Sequence, residues 1–207
     1  MIRDLVIACL IIGGATLLGL TESHGQAATR AIQWWSQLEL EARGQLLAVG
    51  RGLNVAVIDG EGGLEEARTF DTYLNPNSGF DRYVASLQPS AWVVVVVKDE
   101  AATSLNDRDV AALQSLGGTA GLRGNKHWSY ILVGRPNLGA GRGLERISEK
   151  ALTLELPAGQ EIAGQPLPLG MRIDSAGFYQ GNFASLTRLP THYDGLRRWL
   201  AAVLSRM

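Results

Sequence analysis

The chain has 207 residues, with 19 Lys and Arg against 20 Asp and Glu, and a single cysteine. That length suits one well-packed domain with appendages and is short for two. The near-neutral balance, without any run of Lys or Arg, lacks the basic footprint of a nucleic-acid binder, and one cysteine leaves no internal disulfide or cysteine-based metal site.

In chain order, the first feature is an export signal. Arg3 precedes an apolar stretch from Leu5 to Leu20, and Gly25-Gln26-Ala27 supplies the small residues a signal peptidase needs. Residues 1–27 therefore read as a leader, with the mature chain beginning near Ala28. The alternative is an uncleaved membrane anchor at residues 5–20, but the run falls short of the roughly 20 apolar residues that span a bilayer. Cys9 lies inside this segment, with too little apolar sequence before it for a lipoprotein signal.

Thr29 to Gln37 is a lead-in carrying Trp34 and Trp35, and the alternation Leu38-Glu39-Leu40-Glu41 predicts a half-exposed strand. Leu53 to Ile58 predicts a second strand, Asp59-Gly60-Glu61-Gly62-Gly63 a turn, and Ala67 to Tyr73 the returning arm of a hairpin. Phe80, Tyr83, Val84 and Leu87 fall on one face of a short helix that Pro89 ends. Trp92 to Val97 is a continuous apolar run, which requires burial on both faces, and it runs straight into Lys98-Asp99-Glu100. Chemistry tends to sit where such a strand surfaces.

Asn106 is a suitable N-cap for a helix over Asp107–Leu116, with Asp107 and Asp109 in its first turn and Gly117-Gly118 at its end. Capping accounts for Asn106 and Asp107 without a ligand. Trp128–Val133 and Leu152–Leu156 read as strands, and the Gly- and Arg-rich stretch from Gly134 to Ile147 as a long surface loop. Tyr193 to Met207 places Leu196, Trp199, Leu200 and Val203 on one helical face, with Arg197 and Arg198 opposite. Alternating strands and helices between Leu53 and Val133 suggest a doubly wound fold, but the hairpin at Asp59 argues against a purely parallel sheet. The residues by themselves give an α+β chain.

No nucleophile elbow, phosphate-binding loop or paired-histidine zinc motif is present, and outside the leader only His127 and His192 remain for acid–base or metal work. Asp71 and Asp99 form a conceivable carboxylate pair whose separation the sequence does not fix. Gly139-Ala140-Gly141-Arg142-Gly143 has the glycines of a nucleotide loop without a strand leading into it or a long helix following it.

Six ordered motifs carry a resemblance. They are Gly50-Arg51-Gly52-Leu53-Asn54-Val55, Arg68-Thr69-Phe70-Asp71-Thr72-Tyr73, Lys98-Asp99-Glu100 with Leu105-Asn106-Asp107, Leu116-Gly117-Gly118, Gly121-Leu122-Arg123, and Trp128 with Val133-Gly134-Arg135. In this order they resemble the interleukin-like EMT inducer (ILEI)/PANDER domain family over about Leu38–Leu156. That family includes secreted cytokine-like proteins and the stem domain of protein O-mannose N-acetylglucosaminyltransferase. The resemblance implies a compact, lectin-like β-sandwich of mostly antiparallel strands with two or three short helices, spanning residues 28–165, and no catalysis and no cofactor. From the glycan-binding branch it implies three ligand-binding residues, Arg51, Asp99 and Arg123, and an N-acetylated sugar as ligand. A carboxylate and two guanidiniums suit sugar hydroxyls and an N-acetyl carbonyl.

The same three charges also suit a structural ion-pair network. Trp92 or Trp128 could offer a ring to a sugar, although core burial explains both. The segment Gly124-Asn125-Lys126-His127 departs from the family pattern beside Arg123, and the cysteines of the animal cytokine-like members are missing. Residues 166–207 read as a C-terminal strand pair and amphipathic helix expected to pack on the domain. Met171–Phe178 and Gly181–Leu186 look like the strand pair that family members carry at their N-terminal edge, here placed after the domain and expected to fold back beside Leu38–Glu41. The expected partner is a glycan, or a cell-surface or envelope protein if the cytokine-like branch is the better guide. No nucleic acid is expected, and a membrane only through an uncleaved leader.

Overall fold

The computed structural model describes residues 50–189. The leader, the strand expected at Leu38–Glu41 and the helix expected at Tyr193–Met207 lie outside them.

The chain first makes an antiparallel hairpin of β1 (Gly52–Ile58) and β2 (Leu64–Phe70). Its turn is fixed by Asp59, whose carboxylate accepts from the Glu61 and Gly63 N–H groups at 2.8 Å each. Strand β2 starts at Leu64 and stops at Phe70, earlier than the sequence placed it, because the glycine turn is tight and the chain turns again at once, with Asn75 N–H donating to the Asp71 carbonyl at 3.1 Å.

Helix α1 (Phe80–Ser86) buries Phe80, Tyr83 and Val84. Then comes β3 (Trp92–Asp99), the valine run. Its alternation divides two cores: Val93, Val95 and Val97 pack with the helices, whereas Trp92, Val94 and Val96 face the opposite side. That double burial is why the strand tolerates no polar residue until Lys98. Helix α2 (Asp107–Ser115) starts with a reciprocal cap, in which the Asn106 side chain accepts from Arg108 and Asp109 N–H and the Asp109 carboxylate accepts from Asn106 N–H.

Strand β4 (Ser129–Gly134) pairs with β3, and β5 (Leu144–Ser148) pairs with β4 in register across Ser129–Ser148 to Val133–Leu144. The sequence placed all of Gly134–Ile147 in a loop. The loop instead ends at Gly143, whose N–H donates to the Gly117 carbonyl at 2.8 Å, while Gly141 N–H donates to Gly118 at 2.9 Å. Glycine at 117 permits this approach, since a Cβ there would lie 2.5 Å from the Gly143 nitrogen. Composition rich in Gly and Arg concealed a strand whose register is set from outside it.

The second arm of the sheet comprises β6 (Leu152–Leu156), β9 (Met171–Gly177) and β10 (Ala184–Arg188), with β9 in the middle. A two-residue ladder of β7 (Glu161–Ile162) and β8 (Gln165–Pro166), which the sequence did not suggest, lies in the connection. The arms β2-β1-β3-β4-β5 and β6-β9-β10 join where Lys98 and Asp99 pair in parallel with Ala176 and Gly177. Here β3 and β4 fork, and two fully buried serines fill the fork. Ser175 donates to the Val97 carbonyl at 2.7 Å and accepts from Tyr130 N–H at 3.0 Å, and Ser129 accepts from Gly177 N–H at 3.2 Å.

The sheet curls so that the apolar face of the second arm (Leu156, Met171, Ile173, Leu186) meets Ala56, Ile58, Val94, Ile131 and Val133 of the first. The result is a sandwich with the helices on the outer face of the larger arm, the α+β architecture read from the sequence. On the second arm, Asp174 ties three strands together by accepting from Thr153 of β6 at 2.7 Å and Ser185 of β10 at 2.8 Å.

Candidate functional site

The start of β1 and the end of β3 lie side by side, since Gly52 is registered with Lys98. Asn54 shapes the first of them. Fully buried, its side-chain amide donates to the carbonyls of Gly50 at 2.9 Å and Gly52 at 3.2 Å, while its oxygen accepts from Gly50 N–H and Thr69 hydroxyl, both at 2.8 Å. The chain at Arg51 is therefore folded over a polar staple.

Arg51 forms a two-pronged pair with Asp71, Nε to Oδ1 at 3.2 Å and Nη2 to Oδ2 at 2.6 Å, and its guanidinium stands over the Tyr73 ring at 4.8 Å. Two of its five N–H donors are used, so three remain for a ligand on a guanidinium already oriented. The Arg51 hydrogen bond holds the Asp71 carboxyl below the usual carboxylate range, against the opposing effect of burial. A group whose folded-state pKa is lowered adds stability that is complete above its unfolded pKa and disappears as the pH falls through the folded one. Asp71→Asn is therefore expected to flatten the acid limb of a stability–pH profile while leaving its slope near neutrality unchanged, which urea titrations between pH 2 and pH 7, a range chosen to bracket about 3.9, will show.

Asp99 closes β3 in a left-handed conformation, φ 66°, which aspartate tolerates better than most residues. Its half-buried carboxylate enters none of the hydrogen bonds among the described residues, and its charge favours the protonated Arg51 guanidinium. The sequence motif Lys98-Asp99-Glu100 thus divides its labour. Glu100, 1% exposed, points inward and accepts from Ala102, Thr103 and His127 N–H, tying the β3 end to both following loops. His127 Nδ1 lies 3.2 Å from the same carboxylate.

Arg123 pairs with Asp107 at the start of α2, and both are largely exposed. Of the three residues expected to converge, Arg51 and Asp99 are neighbours, whereas Arg123 is joined to neither by a hydrogen bond or ion pair among the described residues. The ion-pair network anticipated as the competing reading takes a different form, with Arg51 on Asp71 and Arg123 on Asp107. Trp92 is core, 4% exposed, and Trp128 is half-buried.

Sequence reasoning missed the neighbours on the other side of Asp99. Gly177 is registered with Asp99, and the chain then enters a 3-10 turn, Phe178–Gln180, rather than continuing as strand through Phe178. Phe178 and Tyr179 are exposed there and pack on His127. A Phe-Tyr pair one residue before Gly181-Asn182, in the bend of a short hairpin, was the available signal.

A separate open groove of about 730 Å³ runs between β2 and α1, lined by Glu65, Glu66, Arg68, Arg82 and Tyr83 and none of the residues above. There Tyr83 donates to Glu66 at 3.1 Å beneath Arg68, and burial pushes its hydroxyl well above the usual range. Within the groove Arg68 pairs with Glu66 at 2.5 Å. Among the described residues no group of three or more His, Cys, Asp or Glu is placed to hold a metal, and no helix is long and apolar enough to cross a membrane.

Residues 51–138 match the family model described as interleukin-like EMT inducer, a narrower range than the motifs suggested. Protein FAM3B of Homo sapiens is 30% identical over 109 residues, covering 51% of this chain and 43% of that protein. Protein FAM3C of Bos taurus is 34% identical over 73 residues, covering 35% of this chain and 32% of that protein. The chain spans less than half the length of both relatives. The matched range holds Arg51, Asp99 and Arg123 and the first four strands, and it is over these residues that the chain is similar to the interleukin-like EMT inducer family.

Proposed function

We propose that the protein is an exported, non-catalytic binding module that recognises carbohydrate at the end of the sheet where Arg51 and Asp99 meet. The observation that supports this best is a complementary pair held in place before any ligand arrives: a guanidinium fixed by Asp71 and Tyr73 with donors to spare, beside a carboxylate with no hydrogen-bond partner of its own among the described residues. Sugar hydroxyls both donate and accept, so they need such a mixed set, and holding it rigid reduces the ordering cost of binding. Arg123 can join only by leaving Asp107, and an exposed pair of this kind holds its partners weakly. The similarity of residues 51–138 to the ILEI family and the leader-like residues 1–27 support export.

The test is a glycan array probed with the full-length chain and with Asp99→Ala. Asp99 is half-buried and makes no hydrogen bond among the described residues, but its φ of 66° suits alanine less well, so the variant is expected to lose about 1 kcal/mol of stability, stay folded and lose its array signal. Array silence from a folded wild-type chain rejects the carbohydrate reading in favour of a protein partner.

A further inference from the structure

The end of β9 carries a feature that neither Arg51 nor Asp99 explains. Phe178 is 51% exposed, Tyr179 76% and Phe183 44%. Phe178 and Tyr179 stand edge to face, centroids 5.2 Å apart at 84°, and the His127 ring closes against both at 5.8 and 5.0 Å. Large exposed rings gathered at one place mark a contact surface, because nothing in folding rewards their exposure.

The loop that presents them is tightly fastened. Asn182 N–H donates to the Gly177 carbonyl at 3.0 Å, Ala176 N–H to Phe183 at 2.7 Å, and the Gln180 side chain to the Glu149 carbonyl at 2.6 Å. Gly177 itself is pressed against the β4 approach so closely that a Cβ would lie 1.8 Å from the His127 carbonyl oxygen. The rings are thus held in place rather than hanging from a loose connection.

Their position is set by register. Arg51 precedes the residue paired with Lys98, Asp99 pairs with Gly177, and Phe178 follows, so guanidinium, carboxylate and rings succeed one another across three adjacent strand ends. Two strand spacings make about 10 Å, more than one monosaccharide covers. We infer that Phe178 and Tyr179, backed by His127, are a stacking platform that extends the Arg51–Asp99 site to a second sugar ring, so that the ligand is an oligosaccharide whose rings present an apolar C–H face. This rests on the carbohydrate reading above. A pyranose has the required amphiphilicity, C–H groups on its face and hydroxyls around its rim. A protein hot spot differs, since it is a sunken pocket with a dry surround, whereas these rings stand proud beside polar Asn182 and charged Asp99. Phe178 and Tyr179 lie outside residues 51–138, the range that the family model matches.

Isothermal titration of the full-length chain tests it, with N-acetylglucosamine, glucose and the β1-4 trimer of each as probes. At least one trimer is expected to bind more tightly than its monomer. Tyr179→Ala and Phe178→Ala are expected to weaken that trimer roughly tenfold, the scale of one good aromatic contact, and to leave the monomer unchanged. Tyr179→Phe should bind as wild type, because the ring and not the hydroxyl is used. If the double alanine variant binds the trimer as wild type does while Asp99→Ala does not, the platform is rejected and the carbohydrate reading stands. Silence of both trimers also rejects the platform, while the broader reading falls only if the glycan array is silent too.

Discussion

Replacing Gly52 by alanine is expected to destabilise the domain by about 3–5 kcal/mol, at the severe end for a single methyl group. Two independent costs combine. Gly52 has φ +100°, where an L side chain is strained by roughly 1–3 kcal/mol. A Cβ there would also lie 2.1 Å from the Phe70 carbonyl oxygen and 3.0 Å from Asp71 Cα, both backbone, so neither can swing aside. Relief requires β1 to move away from the β2 end, which breaks the Asn54 staple and separates Arg51 from Asp71. The variant should therefore lose stability and the Arg51 geometry together. Gly60→Ala in the same hairpin is the control, for nothing lies within 4 Å of its Cβ. Urea midpoints of the two variants measure the difference, and equal midpoints would refute the argument.

The second large effect is expected at Glu100. Removing this carboxylate, itself 1% exposed, leaves three backbone N–H groups without their acceptor, that of Ala102 buried and those of Thr103 and His127 partly so. Each such orphan costs about 1–3 kcal/mol, and the loops on both sides of the sheet end depend on the same group, so Glu100→Ala should cost about 3–5 kcal/mol. Glu100→Gln keeps the shape and one acceptor oxygen and should fall between. Asp99→Ala, one residue earlier, should cost only about 1 kcal/mol, the strain of alanine at φ 66°. Thermal melts of the three variants separate the roles: a structural Asp99 and a dispensable Glu100 would reverse the order. The contrast gives the glycan-array comparison a variant at Asp99 that leaves intact the frame that Glu100 maintains.

The frame and the site share an economy of position. Asn54, Glu100, Ser129 and Ser175 are buried polar residues, and each is spent on fixing the forked end of the sheet. Buried polar groups need partners, and a fully partnered set defines one arrangement where apolar packing alone would accept several. That rigidity holds Arg51, Asp99 and the Phe178–Tyr179 loop in a constant relation.

Much of this was readable in the residues. The valine run could only be a doubly buried strand, the Asp59 turn with its glycines could only reverse the chain, and Asn106 with Asp109 three residues on could only cap a helix, because each is a local pattern with one inexpensive backbone solution. The ordered motifs carried the resemblance to the family domain that matches residues 51–138, and the two candidate residues Arg51 and Asp99 lie at adjacent strand ends. Strand β5 was hidden because its pairing is set by the contact of Gly117 with Gly143, and the partner of Arg51 because Asp71 is twenty residues away. The division of Lys98-Asp99-Glu100 into a surface carboxylate and a buried anchor could not be read from three adjacent polar letters. Nor could the exposure of Phe178 and Tyr179, since aromatic residues after a strand ordinarily extend a core. Sequence determines what a segment can form locally; which polar group is enclosed and which ring is left outside depends on what the remote chain brings against it, and only the folded sheet supplies that.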